Sequence, residues 1–130
     1  MGHVRGRILL VDDEPTLLKL MSVYLTRLGY AVTTADTTDL AWQAVEAAPA
    51  EFVAAVLDGS MPGMQVTELA SRMLEANPSL CVVAASGYPM DISNVAAAAP
   101  GRVDFLLKPF TGDKLAAVLR RMLAAQEEGV

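Results

Sequence analysis

At 130 residues the chain has the length of one ordinary domain, which buries about two-thirds of the surface its unfolded form exposes, so a single core is expected. Apolar residues make up 53% of it, yet no apolar run approaches the roughly eighteen residues that span a bilayer, and the opening MGHVRGR lacks the apolar heart of a secretory signal. Those two absences make the cytoplasm the expected setting, without membrane contact, and a net charge of −5 with a pI near 4.7 disfavours a nucleic-acid footprint, so the expected partners are proteins.

Arg7 to Val11 is a short apolar run ending in Asp12, Asp13 and Glu14, and Pro15 follows at what would be the first turn of a helix, where proline is tolerated. From Pro15 to Leu28 the residues Leu17, Leu18, Met21, Tyr24, Leu25 and Leu28 recur at spacings of three and four, with Gly29 placed as a helix C-cap. Ala31 to Ala35 leans towards strand. A second helix is expected over Asp39 to Ala48, with Leu40, Ala41, Ala44, Val45 and Ala48 inward, Trp42 off that stripe, and Pro49 as the stop.

Phe52 to Met64 reads FVAAVLDGSMPGM: six apolar residues run into Asp58, and turn residues follow, as in a strand buried on both faces. Gln65 to Ala76 reads as a helix with Val66, Leu69, Ala70, Met73 and Leu74 on one face, and Leu80 to Ala85 is a fourth apolar run ending in Ser86. Cys81, the single cysteine, lies in that run and reads as a small core residue. Asp91 to Ala99 is helix-compatible but has only Ile92 and Val95 as large anchors, so it should be the element most free to move. Val103 to Leu107 is a fifth strand ending in Lys108 and Pro109, and Asp113 to Ala125 gives the last helix, with Thr111 as its N-cap and Leu115, Val118, Leu119 and Met122 inward. Strands alternate with helices five times, which indicates a parallel sheet covered on both faces, and no linker or repeat interrupts the pattern.

Four of the five strands end in polar groups: Asp12 and Asp13, Asp58, Ser86, and Lys108. In a parallel sheet these ends share one edge, which is where open α/β sheets bind ligands. Three carboxylates packed together repel one another unless a cation intervenes. Oxygen ligands suit a hard ion, Mg²⁺ or Mn²⁺, which is usually shared with a phosphate. One divalent ion, one lysine and three carboxylates bring the formal charge to about zero, leaving room for a phosphoryl group. The chemistry that uses these parts is attack by Asp58 on phosphorus, with Lys108 and the Ser86 hydroxyl stabilising the transferring oxygens, to form an aspartyl phosphate. Singly, each residue has a plainer role: Asp13 or Glu14 could cap a helix, Ser86 could end a strand, and Lys108 could be a solvated charge.

Together LLVDDEP, AVLDGSMPGM, AASGY and DFLLKPF resemble the signatures of the response-regulator receiver domain of two-component signalling, over about Arg7 to Ala125. The resemblance implies one domain with a flavodoxin-like, doubly wound sheet of five parallel strands in the order 2-1-3-4-5 and five helices. It implies that Asp58 is the phosphoacceptor, Asp13 a direct metal ligand, Asp12 a ligand largely through water, and the Ser60 backbone carbonyl a further ligand. It also implies that Ser86 is the switch hydroxyl, Phe105 the switch aromatic, Lys108 the phosphate-pairing cation, and the Lys108–Pro109 bond cis. A sensor histidine kinase or phosphotransfer protein is the implied partner, with homodimerisation through the face of the fourth helix, fifth strand and fifth helix as a second interaction. Within the family a free-standing regulator, a piece of a longer regulator and a piece of a hybrid histidine kinase all stay open, and GRVDFLLKPF, with the ending Glu128, Gly129 and Val130, is more similar to receivers attached to sensor kinases.

Gln65 and Val66 depart from the Asp-Gly common in the family, and Phe105 lacks the hydroxyl of a tyrosine. An aspartate-nucleophile phosphatase is the competing enzyme reading; it would resemble its class by carrying a second Asp two residues after the nucleophile, where this chain has Ser60. A nucleotide- or flavin-binding domain of similar topology would want a glycine-rich cradle, which DDEPT and the later loops lack.

Overall fold

The structure, a computed structural model, describes residues 5–128 of the chain, and side chains as far as Ala125. Five strands, β1 (Arg7–Val11), β2 (Ala31–Ala35), β3 (Phe52–Asp58), β4 (Cys81–Ser86) and β5 (Val103–Leu107), form one parallel sheet in the order β2-β1-β3-β4-β5. The helices between and after them are α1 (Pro15–Arg27), α2 (Thr38–Ala47), α3 (Val66–Ala76), α4 (Ser93–Ala98) and α5 (Gly112–Glu128), with a 3-10 turn at Pro49–Glu51. Strands covered on both faces need no polar alternation, and all six residues of β4 are accordingly buried.

Two apolar layers result, one on each face of the sheet. Leu9, Val11, Ala55, Leu57, Val82 and Ala84 point to one face, where Val45 of α2 and Leu69 and Met73 of α3 close over them. Ile8, Leu10, Ala54, Val56, Val83 and Ala85 point to the other, under Leu25 of α1 and Leu115, Leu119 and Met122 of α5. Because β3 runs Leu57 to one face and Val56 to the other, Asp58 leaves the sheet at its carboxyl edge, in register with Ala85 of β4.

Helix positions differ from the sequence expectation in three places. Thr37 caps α2 by accepting from the Leu40 backbone N–H at 3.0 Å, so the helix begins at Thr38 and its buried stripe is Thr38, Ala41 and Val45. That turns Leu40, expected inward, out to 48% exposure, and it lets Trp42, expected off the stripe, pack on the core. α4 is shorter than the expected span because Asp91 accepts from Ser93 N–H at 2.9 Å, forming a side-chain turn that delays the helix. α5 continues past Ala125, since nothing before Gly129 breaks it.

The loop after Asp58 is held on α2. Gly63 has φ of +100°, and a Cβ there would lie 2.6 Å from Thr38 Oγ1, while the same hydroxyl accepts from Met64 N–H at 3.2 Å. Gly63→Ala is therefore expected to destabilise the domain by roughly 1–3 kcal/mol, seen as a lower urea midpoint at unchanged slope. An unshifted midpoint would show that the loop relaxes around the methyl group.

Candidate functional site

The acids, hydroxyl and lysine named from the strand ends converge at the carboxyl edge of β1, β3, β4 and β5. Oxygens of Asp12, Asp13 and Asp58 lie within 4.8 Å of one another, with Asp12 and Asp58 buried and Asp13 exposed. Lys108 Nζ sits 2.8 Å from Asp12 Oδ2 and 3.4 Å from Asp58 Oδ1. It is thus no solvated surface charge: the ammonium bridges two strand ends that would otherwise oppose like charges.

Each acid is held differently. Asp12 has both oxygens engaged, Oδ2 by Lys108 and Oδ1 by the Glu14 backbone N–H at 2.9 Å. Asp58 Oδ1 accepts from the Ser60 backbone N–H at 3.1 Å and from the Ser60 hydroxyl at 2.8 Å. Helix capping does not account for the acids at the start of α1, since Glu14 stands at the N-cap with no side-chain hydrogen bond. The residue two after Asp58 offers a hydroxyl where a phosphatase of the competing class would need a carboxylic acid, so the enzyme alternative is not supported.

Ser86 is buried at the end of β4; its Oγ accepts from Tyr88 N–H at 3.2 Å, and its carbonyl accepts from Lys108 N–H at 2.8 Å. Phe105 pairs with Ala84 across β4 and β5 and is half-buried against the layer that holds Val95 of α4. The Lys108–Pro109 peptide is cis. One contact lay beyond sequence reasoning: a Cβ on Gly59 would come within 2.8 Å of Met90 Sδ, so the β4–α4 loop rests on the residue next to Asp58. Nothing in the local pattern of Met90 signals this, because the contact is set by the packing of two loops.

Partial burial lowers the ammonium's affinity for its proton, but the hydrogen bond and charge of Asp12, followed by those of Asp58, outweigh it and raise the Lys108 pKa above that of an ordinary lysine. A raised lysine value means stability that is complete below the unfolded pKa and lost as pH rises through the folded one, so the bridge persists across neutral pH. The three carboxylates also fit a divalent cation: they offer oxygen only, and Asp13 has no hydrogen bond among the described residues to compete with a metal.

A parallel α/β sheet with an acid trio, a buried hydroxyl and a lysine at one edge defines a phospho-accepting signalling module. A family model of the response regulator receiver domain matches residues 8–120, and the chain belongs to that family. It is 33% identical over 122 residues to the transcriptional regulatory protein TcrA of Mycobacterium tuberculosis, covering 93% of this chain and 47% of that one. It is 31% identical over 115 residues to the transcriptional regulatory protein GlrR of Escherichia coli, covering 88% and 26%. The CheY-like receiver domain protein from Methanospirillum hungatei superposes with a TM-score of 0.84 at 26% identity, over 96% of this chain and 98% of that one. The chain spans between about a quarter and about half the length of the curated relatives it matches. Among the described residues no helix is long and apolar enough to cross a membrane.

Removing the ammonium should expose the electrostatic conflict it resolves. Lys108→Met is expected to lose about 1–3 kcal/mol in urea melts at pH 7.5 in EDTA, and to recover more stability than wild type on adding Mg²⁺. The gap between the two proteins should narrow only as pH rises past the lysine range. Equal midpoints in EDTA would show that the ammonium carries no such burden.

Proposed function

We propose that Asp58 accepts a phosphoryl group from a phosphohistidine donor, with the chain's own pocket assisting both the transfer and the later hydrolysis. The observation that carries this reading is the Lys108 ammonium lying between Asp12 and Asp58, at a position where phosphoryl oxygens would form. Three donors crowd Asp58 Oδ1, whereas no described donor reaches Oδ2, which leaves Oδ2 as the nucleophilic oxygen. The Oδ2–P bond forms as the donor's N–P bond breaks, and the departing imidazole keeps the electron pair. Lys108 then pairs with the transferred group, and the Ser86 hydroxyl donates to one of its oxygens.

Asp13 is the residue that would hold Mg²⁺ or Mn²⁺ directly, and Asp12, with both oxygens engaged, would act largely through water, with Asp58 and the Ser60 carbonyl as the remaining protein ligands. When bound, such an ion supplies charge neutralisation for the phosphoryl oxygens. The 130 residues form one receiver, with its core from about Arg7 to Ala125, that works in the cytoplasm either free-standing or within a longer regulator or hybrid kinase. Its direct partner is a sensor histidine kinase or phosphotransfer protein.

Acetyl phosphate with Mg²⁺ is expected to add one phosphoryl group to the wild-type chain and none to Asp58→Ala, read by intact mass, with Asp13→Asn slowing labelling more than Asp12→Asn at limiting Mg²⁺. Equal labelling of wild type and Asp58→Ala would place the acceptor elsewhere. A larger effect of Asp12→Asn would exchange the two metal roles.

Output runs from Ser86 to the face of α4, β5 and α5. Drawing the Ser86 hydroxyl towards phosphate takes the acceptor from Tyr88 N–H and frees the β4–α4 loop, and Phe105 turns further into the space vacated. α4 spans six residues with Val95 as its buried anchor, so a few kcal/mol of differential contact shifts its packing. The same face presents Leu107 at 50% exposure and a surface pair of Arg121 with Asp104, which fits docking by a second copy or another protein. Hydrogen exchange with and without beryllofluoride should change over residues 91–99 and 103–125. A response confined to the loops around Asp58 would overturn this route.

A further inference from the structure

Lys108 reaches Asp58 on a flexible four-carbon stem, so its aim depends on the backbone that carries it. One end of its turn is fixed by the bond from Lys108 N–H to the Ser86 carbonyl, and along the turn Phe110 lines one small cavity with Leu18, Met21, Asp12, Asp58 and Lys108. The other end meets α1 at Tyr24. A Cβ on Gly112 would lie 3.0 Å from Cγ and Cδ2 of the Tyr24 ring and 3.1 Å from Cδ1, so the ring is seated flat on the Gly112 backbone. Its hydroxyl donates to the Asp113 carboxylate in the next residue. That hydrogen bond raises the tyrosine pKa, followed in effect by burial and by the charge of Asp113, so the hydroxyl remains a donor throughout neutral pH.

We propose that Tyr24 is a positioning residue for Lys108, acting through Gly112 and Asp113 to fix the turn between β5 and α5. Ring and hydroxyl have separable parts: the ring sets how closely α5 approaches α1, and the hydroxyl sets the rotation of its first turn. The same helix begins at Pro15, two residues after Asp13, so α1 references the lysine to the acids it must face. A misplacement of a fraction of an ångström at an aligned charge is enough to slow transfer several-fold.

The proposal rests on Asp58 being the acceptor, and labelling of wild type but not of Asp58→Ala establishes that separately in the same experiment. With acetyl phosphate and saturating Mg²⁺, Tyr24→Phe is expected to lower the labelling rate about threefold, and Gly112→Ala about threefold to tenfold. Asp113→Asn, which keeps an acceptor for the hydroxyl, should label faster than Asp113→Ala. A purely structural contact predicts another pattern: the methyl crowds the ring while alanine is the better helix former, so the melting temperature shifts in whichever direction wins and the labelling rate is left alone. In a Tyr24→Ala background the ring that resists the new methyl is gone, so Gly112→Ala should bring no further loss. Rates within twofold of wild type in both Tyr24→Phe and Gly112→Ala overturn the proposal, as does a Gly112→Ala deficit that persists without the ring.

Discussion

Two buried carboxylates on adjacent strands share one ammonium, and the rest of the domain answers to that fact. Asp12 closes β1 and Asp58 closes β3, and the sheet order makes those strands neighbours, so their charges are forced together. The lysine that reconciles them lies 96 residues along the chain from Asp12. Desolvating such groups costs several kcal/mol, and leaving one unpaired costs more than the assembled set returns, so the network is a functional arrangement with stability supplied by the apolar layers. Those layers carry the β1, β3 and β4 residues that lie directly beneath the acids.

The two sides of the pocket are built to different standards. On the α1 and α5 side, Phe110, Gly112 and Asp113 pack or bond onto α1, and Leu115 and Leu119 are fully buried behind them. On the α4 side, the contacts are Met90 over Gly59, the weak bond from Tyr88 N–H to Ser86 Oγ, and Val95 as the buried residue of a six-residue helix. A pocket that must hold its cation still while passing a change outward benefits from one firm wall and one yielding wall.

Much of this was legible in the chain. β2 and β5 fall where the runs AVTTA and VDFLL place them, because a short run of β-branched, aromatic and apolar residues bounded by turn residues marks a strand even at a half-buried sheet edge. The acids, the serine and the lysine were visible as strand endings for the same reason. Leu40 and Trp42 lie opposite to expectation because both helix stripes satisfy the three-and-four spacing, and which one is buried is decided by how α2 packs on the sheet and on α3. The Asp91 side-chain turn competes with helix at a residue that propensity treats as neutral, so α4 came out shorter than expected.

What the sequence by itself determined was the alternation of five strands with five helices, the chemical kinds of group at the strand ends, and through them the family. These are local properties, set by which residues can be buried in a row and which must stop the run. What only the tertiary structure decided was pairing: that Lys108 bridges Asp12 and Asp58, that Ser60 turns its hydroxyl onto Asp58, that Met90 covers Gly59, and that Tyr24 lies on Gly112. Each of these depends on the distance between atoms on different elements, and that distance is fixed by how the sheet and its two helical layers close on one another.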